Sequence, residues 1–286
     1  MKQIQYIWKN AALKICNSRA LAFAVIIFVV CRGYCGPVNR FMDAADYPVS
    51  WCVFPFFMGT NSFLILFWFL MVYLHSDVPF MQHANMYQVI RAGRVGWAVG
   101  QVGGIFLRSF AAVLFTALCT ILPLLPRIEL ANEWGKLLRT VAMTNAGTEY
   151  GFKFAVYYQI FSEYTPLQLM GISILLCTFI SGFLGTLMFF ISLYSNKVLG
   201  VAGALAMAIL MFFVINMHPK IRYKMAFFVP SVWAQVARSA TPELGYYWLP
   251  SVPYMFGFLT VGTGLMVAFI LHKVKRVEFN WENDDV

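Results

Sequence analysis

The chain has 286 residues, of which 12% are charged and 60% hydrophobic, and its net charge is +9. With a mean hydropathy of +0.70 it carries more apolar surface than a water-soluble fold of this size can hide, so lipid is the expected solvent. In lipid the positive charge points to anionic head groups and topology rather than to nucleic acid. No loop or flank is long enough for a nucleotide-binding domain.

Residues 1–19 come first. Ile4, Ile7, Trp8, Ala11 and Ile15 share one helical face, while Lys2, Lys9 and Asn10 point elsewhere. That pattern suits a helix lying on the membrane and entering the first span by an elbow near Asn17–Arg19. An ordinary cytoplasmic extension of the first span is the alternative. No small-residue cleavage site follows the first apolar run, so it is not a removable signal.

A hydrocarbon core about 30 Å thick needs roughly 20 helical residues to cross it. Spans are predicted at about 20–37, 51–74, 97–126, 167–195, 198–217 and 253–272. Lipid offers no partners for backbone groups, so helices are required, and runs such as Leu64–Leu74 lack the period-two alternation of a barrel. The expected fold class is an all-α integral membrane protein with six transmembrane helices in one domain, 20–272, and a tail at 273–286. Both termini then lie on one side. The basic first twenty residues and the cluster Lys273, Lys275 and Arg276 place that side in the cytoplasm, against the opposing cluster Lys220, Arg222 and Lys224.

The segment 77–94 connects spans two and three. Asp77 is a candidate cap and Pro79 suits a first helical turn, giving a short cytoplasmic helix over about Phe80–Arg91. Phe80, Met81, Met86, Tyr87 and Ile90 supply more apolar surface than a solvated loop needs. Docking to a cytoplasmic partner and packing on the membrane interface are both open. Span three then opens with Gly96, Gly100 and Gly104, whose spacing lets another helix approach closely. Arg108 follows one turn later. It is either a pathway or pairing group or a side chain snorkelling to the inner interface. Asn61, at the start of the apolar part of span two, is a further candidate pathway group.

Two outside segments are long. About 127–166 holds Trp134, Leu137, Leu138 and Val141 at helical spacing, and about 218–252 holds Pro230, Ser231 and Trp233. Both read as interfacial or re-entrant helices anchored by aromatic residues.

Catalytic motifs are missing. There is no phosphate-binding G-x-x-x-x-G-K-[ST] run, and His75, His83, His218 and His272 are dispersed near interfaces, so no catalytic residue and no metal site is assigned. The six cysteines form no C-x-x-C pattern. Cys35 and Cys52 either form a disulfide or stay free thiols, buried thiols being the commoner use.

The order of these parts resembles the membrane subunits of ABC-2-type permeases, in the ATP-binding cassette superfamily. Tyr87-Gln-Val-Ile-Arg91-Ala-Gly-Arg94 before Trp97 looks like the arginine-rich end of that family's coupling segment, and Pro230-Ser231-Val232-Trp233-Ala234 is similar to an element near its last span. The resemblance implies a plasma-membrane exporter subunit that pairs with a second permease subunit, identical or paralogous. It further implies two copies of a separate ATPase docking at Phe80, Met86, Tyr87, Ile90, Arg91 and Arg94. ATP and Mg would sit on that ATPase, with no cofactor on this chain and no activity of its own. Aromatic surface favours an amphipathic or hydrophobic cargo. A membrane sensor or immunity subunit, and a lipid-modifying enzyme, are the other classes left open.

Overall fold

The computed structural model describes residues 7–8, 17–77 and 83–276, with backbone alone for 83–88. Helix α1, Ser18–Ala45, starts after Asn17, whose backbone is extended. Residues Ile7 and Trp8 are helical, and the Ile7 side chain rests where a side chain at Gly103 would stand. Asp46 closes α1 in the left-handed conformation that a short polar residue tolerates.

A short strand β1, Val49–Ser50, follows, then helix α2, Phe54–Met58, and helix α3, Asn61–His75. The expected span at 51–74 is therefore broken at Gly59 and Thr60. Its helical part has 15 residues, about 22 Å long, where a crossing needs about 30 Å. Among the described residues, five other helices are long and apolar enough to cross a membrane. They are α1, α4 (His83–Ile121), α8 (Pro166–Tyr194), α9 (Lys197–Ile215) and α11 (Val252–Val274).

Neighbouring contacts give the helix directions. Cys35, Asn39 and Asp43 on α1 meet Thr120, Pro123 and Arg127 in ascending order, so α1 and the end of α4 run parallel. Strand β2, Ile128–Glu129, pairs in parallel with β1 for the same reason, with Val49 opposite Ile128. Helix α3 runs the opposite way to α1, from Asn61 at the loop-rich end, with Ser62 beside Tyr34, to His75, with Tyr73 beside Arg19.

Helix α8 is central. It begins with Thr165 and Gln168 capping each other's backbone and Pro166 in the first turn. In its most apolar window 67% of residues are buried, against 28% in α9 and 22% in α11, so these two are peripheral. Close approach to α4 runs through α8 glycines. A Cβ at Gly182 would collide with Phe106, and one at Gly185 would fall 2.5 Å from Ile105. Gly96, Gly100 and Gly104 are buried in α4.

Shorter pieces cap the loop-rich end: α5 (Gly135–Met143), α6 (Ala146–Glu149), α7 (Ile160–Glu163) and α10 (Pro219–Ala226). Trp134, Leu137, Leu138 and Val141 share a face as their spacing predicts. That face is buried against the bundle, with Trp134 Nε1 donating to the Tyr164 carbonyl at 2.9 Å. Cys31, Cys35, Cys52, Cys119 and Cys177 are buried free thiols, and Cys35 and Cys52 instead bond the carbonyls of Thr120 and Pro166.

Candidate functional site: a polar seam inside the bundle

Helix α4 has 39 residues and would be about 58 Å long if continuous. It is not. Gly93 has φ 72° and ψ 158°, outside helical values, and divides a short helix starting at His83 from a long one over 94–121. The long part, about 42 Å, already covers hydrocarbon core and head groups. On it Arg108 lies 14 residues from Arg94 and 13 from Ile121, so about 20 Å from either end.

Arg108 does not snorkel. Its side chain is 2% exposed, and Nη1 donates to both oxygens of Asp77, at 2.8 and 3.1 Å. A guanidinium in apolar surroundings needs a counter-charge, and the end of α3 delivers one. The Asp77 carboxylate reaches Arg108, and its expected role as cap of the next helix falls on residues 78–82, outside the described part.

One turn away His75 Nε2 meets Ser109 Oγ at 3.0 Å and Ser181 Oγ at 3.1 Å, and Ser109 Oγ donates to Ser181 Oγ at 2.9 Å. The three side chains are at most 1% exposed. His75, expected near an interface, is thus sealed between α3, α4 and α8. A Ser–His contact is the beginning of nucleophilic chemistry, but a nucleophile needs room for its substrate. Here the hydroxyls and imidazole are sealed from solvent and pin three helices together. Ser181 and Gly185 lie four residues apart on one α8 face, a small-polar stripe that was the available sequence signal for this contact.

Beside Arg108 lies a cavity of about 530 Å³, lined by the first turns of α1, by Leu74 and by Ala111, Ala112 and Phe115 of α4. The seam therefore has a closed half, at His75, and an open half, at Arg108.

The other sequence-selected residues are elsewhere. Asn61 starts α3, 14 residues and about 21 Å from His75. Its Oδ1 accepts from Gln235 Nε2 at 2.8 Å and from Arg238 Nη1 at 3.4 Å. Trp248 Nε1 donates to Gln235 Oε1 at 2.7 Å, and the guanidinium carbons of Arg222 and Arg238 lie 3.6 and 4.2 Å from the Trp248 ring. Asn61 and Arg108 do not form one site.

The segment around Pro230 does re-enter the bundle. Ser231 Oγ donates to the carbonyl of Met207, eight residues below the end of α9 and so about 12 Å deep. Trp68 Nε1, about 10 Å down α3, donates to the Ser231 carbonyl at 2.8 Å. The Trp68 bond satisfies a carbonyl of this irregular, buried backbone, and the Ser231 hydroxyl ties it to α9.

At the opposite end Ile90 is 68% exposed and Arg91 is exposed beside it. Arg94 Nη1 donates to the Lys275 carbonyl at 3.1 Å, tying the start of the long α4 section to the end of α11. Phe80 lies outside the described residues, and for Met86 and Tyr87 only the backbone is described. No protein-family model matches the chain, and no curated protein or solved structure matches it.

Proposed function

We propose that this chain is the membrane subunit of an ATP-driven exporter of the ABC-2 type, with both termini in the cytoplasm of a plasma-membrane protein. In this reading α3, extended by α2, serves as the second of six crossings. The observation that carries the reading is the break at Gly93. A helix of 39 residues cannot fit in a bilayer, and the break leaves a separate helical piece at the end where Ile90 and Arg91 are exposed. An apolar side chain ringed by cations suits a groove on a soluble partner.

On this reading the partner is a separately made ATPase in two copies, which carries ATP and Mg. A second permease subunit, identical or paralogous, completes the pathway. Motion of the piece before Gly93 would reach Arg108 through the long section of α4. The sealed state of Ser109 and Ser181 gives no support to a lipid-modifying enzyme.

The test is co-purification after gentle solubilisation. Wild type should retain a nucleotide-binding protein, and Tyr87→Ala with Ile90→Ala should release it. Losing a buried anchor commonly costs about 2 kcal/mol, roughly thirtyfold in affinity. Reversing Arg91 should weaken the association in a salt-dependent way. Absence of any such partner from wild type, or equal retention by the variants, would remove the reading's support.

A further inference from the structure

We propose that the cavity beside Arg108 binds an amphiphile with an anionic oxyacid head group and a single apolar tail. The walls supply the tail site: Ala20, Leu21, Phe23 and Ala24 of α1, Leu74 of α3, and Ala111, Ala112 and Phe115 of α4. A volume of about 530 Å³ falls within the ordinary range of small-molecule sites, about 300–1,000 Å³.

The head-group site follows from an imbalance of charge. Two guanidinium groups stand at this end of α1 and α3. Arg108 lines the cavity, and Arg19 follows Ser18 of its wall and lies 5.9 Å from the ring of Tyr73, the residue before Leu74. Asp77 is the one carboxylate paired here among the described residues, and it takes a single nitrogen of Arg108. Among the described residues, Arg108 Nε and Arg19 Nη1 are buried donors without an acceptor. A buried donor left unpaired is costly, so the site asks for an acceptor rather than a cation. The surplus positive charge asks for an anion. A planar carboxylate or a phosphate matches the guanidinium donors. This assignment concerns binding to the chain alone and stands apart from the exporter reading.

The experiment uses the full chain in phosphatidylcholine nanodiscs, titrated with radiolabelled laurate, dodecyl phosphate, dodecanol and dodecyltrimethylammonium. Laurate and dodecyl phosphate should bind saturably, dodecanol about tenfold more weakly, and the ammonium compound not saturably. Arg108→Gln should weaken binding of both acids by about tenfold or more, the usual size of a lost charge-assisted hydrogen bond. Ala24→Phe and Ala111→Phe fill the cavity and leave the Arg108–Asp77 pair intact, so they decide the matter if Arg108→Gln does not assemble. They should abolish saturable binding. Saturable binding unchanged in both filled variants, equal affinity for dodecanol and the acids, or uptake of all four probes without saturation would each overturn the proposal. Because no ATPase is present, this result is read separately from co-purification.

Discussion

Removing Arg108 alone should damage the protein far more than removing the whole ion pair. Charge centres about 3–4 Å apart attract by about 4–6 kcal/mol at an effective dielectric of about 20. Arg108→Leu forfeits that attraction and takes from the Asp77 carboxylate, whose side chain is 15% exposed, its Arg108 partner. Breaking one half of a buried pair typically costs about 3–5 kcal/mol. Both Asp77 oxygens share one Arg108 nitrogen, without the two parallel bonds of a fork, so the lower end, about 3 kcal/mol, is expected. At about 2–4 °C per kcal/mol that lowers the melting midpoint by about 6–12 °C. The double variant Arg108→Leu, Asp77→Leu removes both charges and should return to within about 1 kcal/mol of wild type. Thermal unfolding of the four proteins in one detergent, followed by tryptophan fluorescence, completes the cycle. A loss under about 1 kcal/mol for Arg108→Leu, or a double variant as poor as the sum of the singles, would refute the reasoning.

Gly182→Ala should lower stability by about 1–3 kcal/mol because its Cβ meets Phe106, whereas Gly171→Ala, with open space around it, should be neutral; the same melting assay compares them. Trp68→Phe leaves the Ser231 carbonyl without its buried donor, a cost of about 1–3 kcal/mol, and amide exchange across 226–238 should accelerate while that in α8 does not. Cysteines placed at Tyr47 and Leu244, both exposed at the loop-rich end, should react with an impermeant maleimide on intact cells. A cysteine at Ser195, in the turn between α8 and α9, should react only after permeabilisation. The reverse pattern would invert the topology.

Much of the helical framework was legible along the chain. Apolar runs of about twenty residues can only be helices in lipid, and Thr165-Pro166 and Asn196 mark the starts of α8 and α9 by the same local rules that hold in water. Hydropathy also put Trp134, Leu137, Leu138 and Val141 on one face. It could not say that this face turns into the bundle, since lipid and protein interior are equally apolar to a sequence profile. It also ran the second span unbroken through Gly59 and Thr60. Beside that break Asn61 is held by Gln235 and Arg238, residues more than 170 positions away.

Composition and the apolar runs point to lipid as the solvent and to the helical class, and the sequence places the Arg108 charge inside the predicted third span. Local spacing determined where helices begin, because capping and periodicity act over three or four residues. Only the tertiary structure decided what Arg108 does. Its partner Asp77 lies 31 residues away, at the end of a helix whose length and direction are set by packing. Likewise His75, Ser109 and Ser181 come from three helices and form a contact only because Gly185 lets α8 close on Ile105 and His75. Burying polar groups in a low-dielectric interior is favourable only when their partners arrive together, and that arrival is a property of the assembled bundle.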